Sequence, residues 1–249
     1  ATLADSTIGG SLFNRGSFIV AGIDRVHGPL IQQLGGNMLV PGGAKLDMTH
    51  PAGNFSWVDG TIGGTGTLSF SGGGTFQFAG TGDRVIDGMN FEFNNLTLPN
   101  GSLSVRAGSL TLTGTTTIPD QVALNLTGGT LVNNSQLNVA GAFTLNAGNF
   151  MGSGGITMAG GTLAKPAGSS IAWTNSGLMT NTGTLNLADA DISNRVGNRG
   201  TINLGGGLNF SQPFVNAGIL EARSGTSNFA AGLQQNGGSL KLAGGNLQG

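Results

Sequence analysis

The fold is decided by the segment Asn181-Thr-Gly-Thr-Leu-Asn-Leu187, which returns one repeat later as Asn198-Arg-Gly-Thr-Ile-Asn-Leu204. Two looser copies follow at positions 216–222 and 236–242, so the spacing between copies is nearly constant. A unit this short cannot bury its own apolar face, so its copies must stack on one another. Such a pattern is typical of a solenoid.

Each copy combines a turn with a strand. Leu185 and Leu187 are separated by a single position and share one face of an extended chain, whereas Asn186 points to the other face. The preceding Asn-x-Gly is turn chemistry, because both residue types tolerate a left-handed backbone. The predicted corner residues are Asn181, Gly183, Asn198, Gly200, Asn216, Gly218, Asn236 and Gly238. The predicted core ladder is Leu185, Leu187, Ile202, Leu204, Leu220, Leu240 and Leu242.

Looser versions of the phrase extend towards the N-terminus, for example Gly66-Thr-Leu-Ser-Phe70 and Gly108-Ser-Leu-Thr-Leu112. At roughly 17–22 residues per coil, 249 residues make about 12 coils. Charged residues are only 8% of the chain, Glu and Lys are scarce, and no long segment has the period of a helix. We therefore predict an all-β, parallel β-solenoid with minimal helix and regular repeats over residues 61–249.

Residues 1–60 differ from the rest and form the second predicted region. They contain three prolines and both histidines of the chain, His27 and His50, and the repeat is blurred there. One interpretation is a segment that binds a partner. The other, which we favour, is a set of irregular coils or a cap that is continuous with the solenoid and protects its first edge.

Composition excludes several classes of function. The net charge is −1, the pI is about 6.1, and Lys and Arg are scattered, so we predict no binding to nucleic acid. No apolar run approaches the roughly 20 residues of a spanning helix, which argues against membrane insertion. Cys is absent, so stacking and hydrogen bonding must supply the stability. The chain begins at Ala1 without Met, which suggests a mature form or an excerpt of a longer protein.

Two acidic features are candidate sites of chemistry. Asp189-Ala-Asp191 would aim two carboxylates in one direction if the segment were extended, as a cation site or an acid/base pair requires. The alternative that we favour is a pair of solvated surface carboxylates. Gly80-Thr-Gly-Asp83 is a single partial match to a calcium-binding nonapeptide, and one such match in a chain with 48 glycines is expected by chance. We predict no catalytic residue, no metal and no cofactor.

Trp57 and Trp173 each precede a similar glycine- and threonine-rich phrase, and the two stretches align with a single insertion. Either ring could stack on a sugar. A large aromatic residue that recurs ahead of an apolar strand is more often a core or corner residue, and we favour that interpretation.

The phrases at 181–187 and 198–204, with Gly128-Gly-Thr-Leu-Val-Asn-Asn134, resemble the right-handed β-helical repeats of bacterial filamentous-haemagglutinin-like adhesins and autotransporter passenger domains. The resemblance covers about residues 60–249. It implies a right-handed, secreted and surface-exposed rod that is usually not an enzyme, and it carries over no catalytic residue. Those adhesins are typically far longer, and neither their outer-membrane barrel nor their secretion domain is recognisable in this sequence.

The C-terminal segment continues the repeat through Leu240, Leu242 and Leu247 with no proline or charge cluster to end it. An open β edge exposes unpaired backbone groups, so we predict an end-to-end contact through these residues. Its partner is another copy, head to tail, or further coils of a longer chain, and surface glycans are a further class of partner. The sequence thus predicts a non-enzymatic extracellular or cell-surface rod, a filament subunit or adhesin shaft. The alternative is a polysaccharide-processing or polysaccharide-binding β-helix protein.

Overall fold

The computed structural model describes residues 1–32, 36–49, 55–58, 61–71, 76–78, 84–98 and 100–249. Within these ranges the chain is all β-strand and turn, with no helix. Its strands are β1 Thr2–Leu3, β2 Thr7–Ile8, β3 Leu12–Asn14, β4 Ser17–Val20, β5 Ile23–Val26, β6 Leu30–Gln32, β7 Asn37–Val40, β8 Lys45–Met48, β9 Phe55–Trp57, β10 Thr61–Gly64, β11 Thr67–Phe70, β12 Phe76–Phe78, β13 Arg84–Ile86, β14 Asn90–Phe93, β15 Leu96–Thr97, β16 Ser102–Val105, β17 Ser109–Leu112, β18 Thr116–Ile118, β19 Ala123–Asn133, β20 Leu137–Val139, β21 Ala142–Met151, β22 Ile156–Met158, β23 Thr162–Lys165, β24 Ser170–Trp173, β25 Met179–Asn181, β26 Thr184–Ile192, β27 Val196–Asn198, β28 Thr201–Phe210, β29 Phe214–Asn216, β30 Ile219–Ala222, β31 Thr226–Phe229, β32 Leu233–Gln235, β33 Ser239–Leu242 and β34 Asn246–Gln248.

The strands stack as a parallel β-solenoid of about 11 turns, which confirms the predicted fold class. Each coil has three strand segments, and the described segments that pair between neighbouring coils all run parallel, for example β4 with β7, β5 with β8 and β6 with β9. The four long strands β19, β21, β26 and β28 each bend to supply the first and second segments of one coil. The length of a coil varies along the chain: it is short where Thr184 faces Thr201 and long where Leu30 faces Phe55.

The first sixty residues, where described, follow the same plan. β2 pairs with β5, β5 with β8, and β8 with β11, so the second face runs unbroken from the first coil into the regular repeats. The widest coil spacings also fall in this region. His50 lies outside the described residues, whereas His27 is exposed and its Nδ1 lies 2.8 Å from the Thr49 hydroxyl.

Alternation along each strand fills the interior. The clearest inward column runs in strict register and consists of Leu103, Leu124, Phe143, Leu163, Leu185, Ile202 and Leu220, every one of them at most 1% exposed. Aromatic rings also stack along the axis: the Phe210 and Phe229 centroids are 4.9 Å apart with the rings nearly parallel. The core is therefore a set of side-chain ladders that run perpendicular to the strands, each rung supplied by a different coil.

Candidate functional site

An asparagine ladder occupies the corner between the third segment of one coil and the first segment of the next. Asn181 Nδ2 donates to Asn198 Oδ1 at 2.8 Å, and Asn198 Nδ2 donates to Asn216 Oδ1 at 2.6 Å. All three side chains are at most 1% exposed. Each Oδ1 also accepts from the backbone N–H of the glycine that follows in its Asn-x-Gly phrase, for example Gly200 at 3.1 Å. The predicted corner Asn therefore joins consecutive coils while it closes its own turn.

The glycines of these corners are required by close backbone contact. A Cβ added to Gly200 would lie 2.3 Å from the Gly183 carbonyl oxygen, and one added to Gly218 would lie 2.2 Å from the Gly200 oxygen. Gly238 repeats the relationship with Gly218 at 1.9 Å. No Cβ fits at such distances, so the column admits only glycine.

The fourth predicted corner is corrected by the structure. Gln235, and not Asn236, is in register with Asn216, and Asn216 Nδ2 donates to Gln235 Oε1 at 2.9 Å. Asn236 is exposed. The reason is that two residues separate Gln235, the last residue of β32, from Gly238, whereas one residue separates Asn216 from Gly218. The additional residue moves Asn236 out of the ladder, while Gly238 stays in the glycine column.

The predicted core ladder is buried except at its last rung. Five of its residues are at most 2% exposed, namely Leu185, Leu187, Ile202, Leu204 and Leu220. Leu240 and Leu242 are in register with Leu220 and Ala222, but they are 47% and 65% exposed. Leu247, the third predicted end-contact residue, is partly buried. The inward columns thus reach the last coil, where no further described coil covers them.

The acidic candidate Asp189-Ala-Asp191 lacks the extended geometry on which the interpretation as a cation site or an acid/base pair depended, and both residues are exposed. Asp189 has φ 50° and lies at a corner, because β26 bends there between its two halves. Its Oδ1 accepts from the Gly207 N–H at 3.0 Å in the next coil, and its Oδ2 accepts from the Gly168 N–H at 3.4 Å in the previous one. Asp191 is an exposed outward residue. The Asp189 carboxylate therefore binds neighbouring backbone amides.

Asp5 repeats the arrangement in the first coil. It too has a left-handed backbone, with φ 48°, and its Oδ1 accepts from the Ile23 N–H at 3.0 Å in the following coil. In both cases the donor lies one coil after the acceptor. Sequence reasoning missed this role, although an aspartate at a corner where other coils have glycine is a usable signal.

Lys165 is a second feature that the sequence did not reveal. It is in register with Leu187 in an apolar inward column and is 2% exposed. Its Nζ donates to the Ala188 carbonyl at 2.8 Å. Burial lowers the pKa of Lys165, and the charge of Asp189 offsets part of that effect. The side chain adjoins a surface cavity of about 310 Å³ that is also lined by Asn186, Asn203 and Arg223.

Trp57 and Trp173 are buried, at 5% and 6% exposure. Trp173 Nε1 donates to Asn194 Oδ1 at 2.7 Å, and Asn194 Nδ2 donates to Asn175 Oδ1 at 2.9 Å. These asparagines form a second buried network, at the corner that follows the second segment. It escaped sequence reasoning because Asn194 does not begin an Asn-x-Gly phrase, and because Asn175-Ser-Gly177, which is such a phrase, lies in the same coil as Asn181 and so falls outside the repeat spacing.

Within the described ranges, no group of three or more His, Cys, Asp or Glu side chains is arranged to hold a metal ion. The segment Gly80–Asp83, which partly matches a calcium-binding nonapeptide, lies outside those ranges. No helix in the described part of the chain has the length and apolarity needed to cross a bilayer.

Comparison with known proteins finds no matching family model, no matching curated protein and no matching solved structure. The likeness to haemagglutinin-type repeats therefore remains a likeness of short phrases.

Proposed function

We propose that this chain is a non-enzymatic structural rod of the bacterial cell surface, in which end coils associate with other copies or with further coils of a longer chain. The observation that carries the proposal is the exposed last rung. Leu240 and Leu242 are 47% and 65% exposed, although they continue inward columns whose previous members, Leu220 and Ala222, are at most 1% exposed. A coil stacked on this end would remove both leucines from water and pair the free edge of β33.

The opposite end offers a surface of similar chemistry. Leu3, Ile8 and Leu12, which belong to β1, β2 and β3, are only partly buried against the core. Stacking this coil on the last coil of another copy would continue the apolar columns across the junction. Such a contact is heterologous and does not close, so it would propagate into a filament. The low content of charged residues, 8%, leaves little like-charge repulsion to oppose it.

The test is negative-stain electron microscopy with light scattering at several protein concentrations, on the wild type and on a Leu240→Asp/Leu242→Asp variant. We expect filaments in the wild type and single rods in the variant, because two carboxylates in the junction would be buried without partners. Leu39→Asp is the matched control, since Leu39 is 44% exposed but lies on β7, far along the chain from that end. Monodisperse wild-type rods at every concentration would reject self-assembly and favour a shaft segment.

The second candidate is a polysaccharide-binding protein. It is favoured by a groove on the third face of the solenoid, which is the face formed by the third strand segment of each coil. Thr180, Gly197 and Val215 line this groove together with two arginines, Arg195 and Arg199. Polysaccharide processing has weaker support, because its best carboxylate candidate, Asp189, is engaged by the backbone amides of Gly168 and Gly207.

A further inference from the structure

One glycine of the third face has no structural reason to be glycine. Each strand of this face presents one central residue outward, and Gly197 of β27 lies in register between Thr180 and Val215. Unlike Gly200, it has no atom of the described residues within 4 Å of an added Cβ, and its φ is outside the left-handed region. Glycine inside a strand costs about 0.5–1 kcal/mol relative to alanine, and such a glycine often marks close approach of a ligand.

The missing side chain leaves a groove. Its volume is about 640 Å³, with Gly197 in the floor and Thr180 and Val215 on either side. Arg195 precedes β27 and Arg199 follows it, so one arginine lies at each end of the groove. The stretch of extended chain between them spans at most about 13 Å, which sets the distance between the two arginine backbones.

Both guanidinium groups are available to a ligand. Arg195 and Arg199 are exposed, and within the described residues neither makes an ion pair; the ion pairs found there involve Lys45, Arg106 and Arg223. Among the residues that the structure describes, no Asp or Glu lines the groove. Two cations without a carboxylate between them favour an anionic ligand, and the planar guanidinium pairs with carboxylates through two parallel hydrogen bonds.

The groove does not suit an extended peptide. β27 is already paired on both sides, with β25 and with β29, so the floor has no free backbone edge to which a peptide strand could be added. The walls combine apolar Leu178, which is 54% exposed, with the Thr180 hydroxyl and the Asn236 amide. A surface that combines apolar and hydrogen-bonding groups matches a sugar ring, which has C–H faces and hydroxyl edges.

We propose that this groove binds an acidic oligosaccharide, with Arg195 and Arg199 pairing with carboxylates on separate sugar units and the central unit seated over Gly197. The proposal is independent of end-to-end assembly, because the groove lies on the side of the solenoid and is complete within one chain.

The test is isothermal titration calorimetry with a hexamer of galacturonate, with its methyl-esterified form as the neutral ligand. Three variants separate the contributions. Arg195→Gln/Arg199→Gln removes both cations, Gly197→Val fills the notch with the side chain found at Val215, and Arg25→Gln removes an exposed arginine of the second coil as the charge control. Thermal unfolding of each variant establishes that the fold is intact, and titration of hexaglutamate tests the distinction between saccharide and peptide.

We expect wild type and Arg25→Gln to bind the acidic hexamer alike, and both groove variants to lose at least about tenfold in affinity, which corresponds to about 1.4 kcal/mol. Affinity should fall with added salt, and the ester should not bind. Three results would overturn the proposal: no binding by the wild type, equal binding by the folded Gly197→Val variant, or binding of hexaglutamate as tight as that of the saccharide.

Discussion

Asn198 donates its Nδ2 hydrogen to Asn216 Oδ1 at 2.6 Å across two successive coils, and both side chains are buried. The same Asn198 Nδ2 also reaches the Ile219 carbonyl at 3.1 Å, and its Oδ1 accepts from Gly200. One side chain thus satisfies polar groups of its own turn and of the next coil. Because each asparagine side chain is hydrogen-bonded both within its own turn and to the next coil, a solenoid with few charges can bury a row of amides at its corner.

Replacing Asn198 by Ala should destabilise the solenoid by about 2–4 kcal/mol, because two buried neighbours each lose a hydrogen bond and a cavity remains. Urea unfolding followed by circular dichroism measures the change. Asn236→Ala is the matched control, since Asn236 is exposed and outside the ladder, and its unfolding midpoint should stay close to that of the wild type. Equal effects of the two substitutions would contradict a stabilising ladder.

Two glycine-to-alanine changes, Gly200→Ala and Gly197→Ala, should differ sharply in their effect on stability. The methyl group at position 200 would lie 2.3 Å from the Gly183 carbonyl oxygen, whereas the one at position 197 meets open space. We expect Gly200→Ala to cost several kcal/mol or to prevent folding, and Gly197→Ala to be neutral or to stabilise by up to about 1 kcal/mol. The measurement is the thermal unfolding temperature of both variants relative to the wild type. A destabilised Gly197→Ala variant would show that this glycine has a structural role.

Asp189 makes two contributions to its corner: its carboxylate accepts hydrogen bonds from backbone amides, and its backbone adopts the left-handed conformation. Substitutions can separate the two. Asp189→Gly removes the carboxylate but suits the left-handed φ of 50°, whereas Asp189→Ala removes the carboxylate and keeps the backbone strain of about 1–2 kcal/mol. We expect both variants to be less stable than the wild type and the alanine variant to be the less stable of the two. Asp191→Ala, at an exposed outward position, serves as the control and should have almost no effect. Equal stability of the Asp189→Gly and Asp189→Ala variants would show that the backbone at position 189 is not strained.

Lys165 should make stability depend on alkaline pH. Its pKa is lowered in the folded state, so between that value and the ordinary 10.5 the unfolded chain binds more protons than the folded one. Stability should therefore rise as pH increases through this window, and the cost of burying the charge is fully present below the folded-state pKa. The chain has no Tyr and no Cys, so few other groups titrate there.

The measurement for Lys165 is the urea midpoint as a function of pH for the wild type, Lys165→Met and Lys241→Met. The rise should disappear in Lys165→Met and persist in Lys241→Met, because Lys241 is exposed on the last coil. An unchanged pH profile in Lys165→Met would show that this lysine carries no such linkage.

The sequence by itself determined the solenoid class, the corner phrase and the inward columns from Leu185 to Leu220. These follow from local properties, namely a short repeat of nearly constant length and side-chain alternation along each strand. Only the tertiary structure decided which residue meets which in the next coil. It placed Gln235 in the ladder position predicted for Asn236, and it placed Asp189 at a corner. It also buried Lys165 in register with Leu187 and put Gly197 in the floor of a groove between two arginines. Those outcomes depend on the exact length of each turn, because one inserted residue moves a side chain out of register with its partner in the next coil.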